Sequence, residues 1–351
     1  MGSKLRIAVV ANANSIHTIR WVKWLRKKKH EVTVFSLNEG GDCVYFGPEP
    51  ALDRSLIFNL GKNVRKTTNK LQTKIDEFKP DLIHGFFLFN HGMYASRVKG
   101  YPKVNTAMGS DVLIAPEESK LLSWIVKRTI KNSDSVFGPP LLIDKIKEWK
   151  LETDLNENII GIDTSVFKPK EKNNSIVFAR GFKEVYNPLV VAKAFESLDS
   201  QLKDFNFILC GDGPLRNESE RILSYCKNVR FTGQISEKEL ADIVGKAQLV
   251  ISPSLSDSIP LTILEAVASG TPIVASNIPA NQKWVDAQLP VFLFEKDSSA
   301  ELAKTILEVV NDQSILESAS KLGPSIIKKK YSWEKESEKV LNKYFDLIES
   351  N

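Results

Sequence analysis

Short apolar, β-branched runs alternate with helical segments along this chain, and that alternation limits its fold more than any other feature. In the first half LRIAVV, EVTVFS, DLIHG, KVNTA and DSVFG read as strands, separated by helical segments such as 15–29, 65–78 and 117–131. In the second half SIVFAR, FNFILC, NVRFTG, QLVISP, TPIVAS and PVFLF repeat the pattern. Strands that alternate with helices of roughly ten to fifteen residues build parallel sheets covered on both faces. In such sheets each helix starts beside the carboxyl ends of the strands, and ligands bind in the crevice outside those ends.

With 351 residues, 42% hydrophobic and 26% charged, the chain can bury two ordinary cores. No run approaches the roughly 18 apolar residues of a membrane span, and Lys4 and Arg6 lie inside the first strand-like run rather than ahead of a cleavable signal. A cytoplasmic protein is expected, with Cys43, Cys210 and Cys226 as reduced thiols. The net charge of +5 is concentrated in RWVKWLRKKKH, residues 20–30. There Trp21 and Trp24 sit one turn apart among Arg20, Lys23, Arg26 and Lys27 to Lys29. Such a helix can lie in a membrane interface, or it can pack its tryptophans on a sheet and solvate its lysines. The need of a first helix to bury one face favours the second reading. No nucleic-acid motif, P-loop, dinucleotide GxGxxG or metal-ligand spacing accompanies the charge.

Residues 256–276, SDSIPLTILEAVASGTPIVAS, place Asp257 and Glu265 around a helix start between two strand-like runs. Ser258 is a candidate N-cap, Ile259 and Pro260 lead into the helix, and Leu261 and Thr262 offer unpaired amides in its first turn. A diphosphate fits such a helix start without a metal. Glu265 has the reach to accept hydrogen bonds from ribose hydroxyls, and Asp257 lies in the loop where a transferred sugar would sit. Alternatively, Ser258 and Asp257 only cap the helix and Glu265 is solvated.

This segment resembles the acidic signature of the large retaining glycosyltransferase family numbered four, in which two glutamates are separated by seven residues; here the first acid is aspartate. GIDTSVFKP (161–169), FARGFK (178–183), GDGPLRNE (211–218), FTGQIS (231–236) and YSW (331–333) follow in that family's order. The resemblance implies the GT-B architecture, an α/β fold of two Rossmann-like doubly wound parallel-sheet domains facing a central cleft. It implies an acceptor-side domain over 1–168, a nucleotide-sugar-binding domain over 169–330 and a helix over 331–351 that crosses back. The family retains anomeric configuration, uses no cofactor and usually no metal. By the same resemblance Arg180 and Lys183 bind the leaving phosphate, although the family's lysine positions are Val185 and Tyr186 here. Asp257 orients the sugar, Asp111 orients the sugar or its own loop, Glu265 holds the ribose, and Gly211, Gly213 and Arg216 lie near the base. The implied partners are a nucleotide-sugar donor and a glycan or lipid-linked acceptor, met in the cytoplasm or at the inner membrane face.

The first domain contributes the acceptor side. Asn12, Asn14 and Ser15 follow the first strand, with His17 and Arg20 on the next helix. IHGFFLFNHG puts His84 at a strand end and Asn90 and His91 at a helix start, and NTAMGSDV matches the family's GSD turn at Gly109, Ser110 and Asp111. A histidine common before that glycine is Met108 here. Met108, Asp257, the shifted lysine and Lys283 in NQKW keep open a degenerate protein that binds nucleotide sugar or glycan as a scaffold. A nucleotide-sugar epimerase of the same architecture is the third reading.

Overall fold

The computed structural model describes residues 3–48, 57–257 and 259–350. The chain divides into two compact units, Met1–Ile159 with Ser337–Asn351, and Ile160–Glu336.

The first unit opens with β1 (Arg6–Val10), α1 (Ile16–Lys27), β2 (Glu31–Ser36), β3 (Val44–Tyr45), α2 (Ile57–Phe78) and β4 (Leu82–Phe86). It continues with α3 (His91–Ala95), β5 (Lys103–Thr106), α4 (Ser110–Leu113), α5 (Ala115–Glu118), α6 (Lys120–Lys131), β6 (Ser135–Gly138), α7 (Pro140–Glu148) and β7 (Asp154–Glu157). Its seven strands are all parallel, in the order β3-β2-β1-β4-β5-β6-β7. β1 lies between β2 and β4, with Val9 opposite Val34 and His84, so the strand order reverses there. Two edge strands, β3 and β7, are additions to the sequence reading. β7 is the polar DLNE, half exposed along its length, and carries no apolar signal because an edge strand buries little. The 117–131 segment splits at Ser119, whose hydroxyl caps α6 by accepting the Leu122 N–H.

The second unit runs β8 (Ser175–Ala179), α8 (Pro188–Leu198), β9 (Asn206–Cys210), α9 (Arg216–Ile222), β10 (Val229–Gly233), α10 (Glu237–Lys246) and β11 (Leu249–Ser252). Then come α11 (Leu261–Ala268), β12 (Ile273–Ser276), α12 (Pro279–Asp286), β13 (Val291–Phe294), α13 (Ser299–Asn311) and α14 (Gln313–Ile326). The last helix, α15 (Trp333–Glu349), begins in this unit and from Ser337 onward belongs to the first. The sheet order is β10-β9-β8-β11-β12-β13, again all parallel, with its reversal between β8 and β11. Each sheet therefore has the doubly wound topology that the alternation predicts.

The sequence drew the domain boundary at 168/169, whereas the second unit also takes in 160–168. Gly161 explains the assignment. Ile162 N–H donates to Tyr331 O at 3.0 Å and Trp333 N–H to Ile162 O at 2.8 Å. A Cβ on Gly161 would meet Ser332 O at 2.5 Å, so only glycine allows this close backbone pairing.

Residues 337–351 complete the first unit's core. Tyr344 is fully buried, its hydroxyl hydrogen-bonded to His84 Nδ1 and its ring edge-on to Trp21. His84 Nε2 pairs with Thr106 Oγ1 at 2.7 Å, so both imidazole nitrogens are engaged. Lys343 and Asp154 at 2.9 Å, and Lys28 and Glu338 at 3.2 Å, add ion pairs at the edges. Trp21 and Trp24 are each 6% exposed and stack at 5.3 Å. Their burial decides the reading of 20–30 in favour of sheet packing, and Lys27 to Lys29 form the solvated face. No helix among the described residues is long and apolar enough to cross a membrane.

Burial lowers the His84 pKa to about 3, against 6.5 for a free imidazole. The folded state thus holds fewer protons than the unfolded state between these values, so stability is intact above pH 6.5 and falls as pH drops toward 3. Each pH unit through that window removes up to about 1.4 kcal/mol. Urea titrations across pH 7 to 4 should show this loss. Tyr344→Phe should cost about 1–3 kcal/mol at pH 7 by leaving a buried ring nitrogen unpaired; an unchanged midpoint would refute the role assigned to this bond.

Candidate functional site

In the second unit the reversal between β8 and β11 opens a crevice at the carboxyl ends of these strands. Arg180 is the first residue past β8, and Asp257 lies in the loop after β11. Asp257 Oδ2 accepts from Arg180 Nη2 at 2.5 Å, each side chain being 12% exposed. Arg180 Nη1 donates to Thr262 Oγ1 at 3.3 Å, in the first turn of α11. The guanidinium carbon stands 4.1 Å from the centre of the Tyr186 ring, while Nε is buried without a hydrogen-bond partner among the described residues. A buried donor of this kind costs free energy unless something accepts from it.

The helix start differs in detail from the sequence reading. α11 begins at Leu261 with Pro260 as its N-cap, and no side chain caps it. Proline fixes the backbone entry into the helix; Ser258, expected as the N-cap, lies outside the described residues. Ile259 is half-buried and Pro260 buried beside this start. Ile263 N–H returns to Pro260 O, whereas the amides of Leu261 and Thr262 precede the intrahelical ladder. Their direction and the helix dipole favour an anion. Glu265 is the single charged residue of α11, half-buried where Leu264 and Ala266 are fully buried. The opposite end of α11 is held by Lys172, whose Nζ donates to Gly245 O, Ser269 O and Thr271 Oγ1, with burial lowering its pKa to about 8.

Gly211 and Gly213 form the support under Arg180 rather than a free ligand surface. They take φ of +111° and +155°, and a Cβ on each would meet Arg180 O at 2.7 Å and Phe182 O at 2.6 Å. Phe182 N–H donates to Asp212 O at 3.0 Å and Leu215 N–H to Phe182 O at 3.0 Å, locking the two loops together. Arg216 spends its charge locally, with Nε to Glu220 at 2.8 Å and Nη1 to Asp212 at 3.5 Å. Lys183 is exposed and has no carboxylate partner among the described residues.

The first unit has its own crevice where β1 and β4 reverse. A pocket of about 310 Å³ there is walled by Asn12, Ser15, His17, Asn90, His91 and Met108. Asn12 Oδ1 accepts the Asn14 N–H at 2.9 Å, which turns the chain into α1. His91 Nε2 accepts the Leu37 N–H at 3.2 Å, and burial lowers its pKa to about 4, so the ring stays neutral. Burial, and then Arg20, lower the His17 pKa.

Six residues expected on this side lie off the pocket wall. His84 is the middle residue of β4 and is held by Tyr344 and Thr106, because its strand position points it into the core. Asn14 donates to Glu39 O at 3.1 Å, and Arg20 lies further along α1. Gly109 N–H donates to Asp111 Oδ1 at 2.8 Å, and Ser110 is exposed at the start of α4. Asp111 is fully buried and accepts from the amides of Leu88, Met108 and Gly109, so it ties two loops together and cannot itself reach a sugar. Burial pushes its carboxyl up, opposed by these hydrogen bonds.

Sequence reasoning missed Tyr186, Ser252 and Ser254. The two serines are buried at and just past the end of β11, with hydroxyls that lack partners among the described residues. A serine closing an apolar strand gives no distinctive signal, and an aromatic residue in a loop gives none. No three His, Cys, Asp or Glu side chains among the described residues are grouped to hold a metal ion.

Residues 162–329 match the family model described as glycosyl transferases group 1, and residues 6–138 match that described as glycosyl transferase 4-like. An uncharacterised glycosyltransferase of Methanocaldococcus jannaschii is 26% identical over 79% of this chain and 76% of its own length. The sulfoquinovosyl transferase of Arabidopsis thaliana is 24% identical over 93% of this chain and 69% of its own. Among solved structures, Anabaena HepE in complex with UDP-glucose superimposes with a TM-score of 0.76 at 14% identity, over 97% of this chain and 100% of that one.

The Gly213 close approach generates a test. Gly213→Ala should displace the 180–182 backbone and destabilise the protein by about 1–3 kcal/mol, the range for a strained backbone position. Equal thermal stability of wild type and variant would show that the approach does not constrain the Arg180 loop.

Proposed function

Since the chain belongs to the group 1 glycosyltransferases and has the GT-B fold, we propose that the β8/β11 crevice binds the diphosphate of a nucleotide-sugar donor. The observation that carries this reading is Arg180 beside the first turn of α11, with a buried Nε that lacks an acceptor. A guanidinium and two helix amides supply the charge and the directed donors that a diphosphate needs. The UDP-glucose bound by the Anabaena relative makes UDP the first nucleotide to test.

In the proposed reaction the bond from the anomeric carbon to the leaving phosphate oxygen breaks, and a bond to an acceptor hydroxyl forms on the same face. The hydroxyl proton passes to the departing phosphate, so configuration is retained without a metal. Arg180, Lys183 and the amides of Leu261 and Thr262 stabilise charge that grows on the diphosphate. Glu265 accepts from ribose hydroxyls. Asp257 orients the sugar, and to do so it must share or release Arg180, which it holds at 2.5 Å. The pocket at β1/β4, with neutral His91 and the Asn12 and Asn90 amides, is assigned to a glycan or lipid-linked acceptor. Any attraction to an anionic membrane is left to Lys27, Lys28 and Lys29, since the tryptophans of α1 are buried.

Thermal unfolding with a panel of nucleoside diphosphates and nucleotide sugars, with and without chelator, tests the donor assignment. A ligand at a hundred times its Kd stabilises by about 2.7 kcal/mol. Stabilisation should survive chelation and shrink in Glu265→Gln, and Arg180→Ala should slow turnover about ten- to a thousandfold. Binding without turnover would instead support a scaffold, and release of a free epimeric sugar an epimerase. NMR of the product's anomeric configuration decides retention.

A further inference from the structure

Tyr186 lies directly on the cation at the centre of this site. Its ring covers the Arg180 guanidinium at 4.1 Å, the one aromatic contact Arg180 makes among the described residues. The approach is built by the backbone. Glu184–Tyr186 form a 3-10 turn closed by Asn187 at φ 46°, whose Nδ2 donates to Asp297 Oδ1 at 2.7 Å. Leu255 N–H donates to Val185 O at 2.8 Å, joining this turn to the loop that carries Asp257. The ring also lies beside Gly181, where a Cβ would stand in ordinary van der Waals contact with its edge carbons at 3.8 Å.

The guanidinium is therefore restrained on its face by Tyr186, at Nη2 by Asp257 and at Nη1 by Thr262. These restraints respond differently to an incoming anion. A diphosphate and the Asp257 carboxylate repel each other and compete for the same edge donors, so that restraint weakens as a donor binds. A ring against the face leaves every N–H in the guanidinium plane free to donate, and is undisturbed by exchange at the edge. The geometry points to Tyr186 as the positioning residue for Arg180, holding the guanidinium plane so that its edge donors meet the diphosphate while Asp257 yields. This inference rests on the reading of Arg180 as a diphosphate ligand. It assigns work to a side chain at a place where the chain has no lysine, and it requires a π face rather than a hydroxyl.

Calorimetric titration with inorganic pyrophosphate and with UDP tests it on wild type, Tyr186→Phe, Tyr186→Leu, Tyr186→Met, Arg180→Ala and the Tyr186→Leu/Arg180→Ala pair. Phenylalanine should bind within about twofold of wild type, and leucine and methionine about tenfold more weakly, as for loss of a desolvated cation–π contact. In the Arg180→Ala background, Tyr186→Leu should have no further effect, because a residue acting through another is silent once its partner is gone. Leucine and methionine variants that bind like wild type would overturn the inference and leave the diphosphate reading standing. So would a phenylalanine variant as weak as leucine, or full additivity in the double variant, which marks a role in folding alone. Methionine keeps a long apolar side chain at this position if leucine fails to fold. A wild-type protein that binds neither probe would overturn the diphosphate reading itself, and this inference with it.

Discussion

A parallel strand must send its chain across a face of the sheet before the next strand begins, and the reversal of that traffic leaves one gap per sheet. The residues proposed to meet ligands lie at the two gaps. At β8/β11 they are Arg180, Asp257, Thr262 and the start of α11, and at β1/β4 they are Asn12, Ser15, Asn90 and His91. The strands meeting there are almost wholly apolar, so the first polar residue past each strand end is also the first with a ligand in reach.

Most of this was legible in the sequence because alternation and strand ends are local signals. The eleven strand-like runs all became strands, and the residues named at their ends include Arg180, Asp257, Ser15 and His91. What was not legible depends on partners distant in sequence. His84 reads as a strand-end ligand until Tyr344, 260 positions away, is seen to hold it in the core. Gly211 and Gly213 read as a ligand turn, and only the proximity of the Arg180 and Phe182 carbonyls shows that they serve a backbone contact. Asp111 reads equally as orienting the sugar or its own loop, and only the three amides that donate to it show its hold on the loop. Polar side chains near a site divide into those that face the ligand and those that hold the loop, and spacing does not distinguish the two.

The arrangement around Arg180 shows how one loop can be made rigid from below and adaptable above. Beneath it, two glycines fix the backbone by approaches that no side chain would tolerate. Above it, Asp257 is an acid close enough to neutralise the arginine, and in the proposed reaction it yields to the diphosphate. Lys172 performs the fixed kind of role at the far end of α11, where it gathers three oxygens near the helix terminus, so the helix that offers its amides at one end is clamped at the other.

The return of residues 337–351 to the first unit has a consequence for how the molecule is made. During synthesis the first unit cannot complete its interior until the chain has been made through Tyr344, after every residue of the second unit. Until then Trp21 and His84 have no cover from Tyr344, and the earlier-made half waits as an incomplete intermediate. The earlier-made half is thus completed only by a segment made after the second unit, and that long-range closure leaves the incomplete half exposed to capture by chaperones or to aggregation.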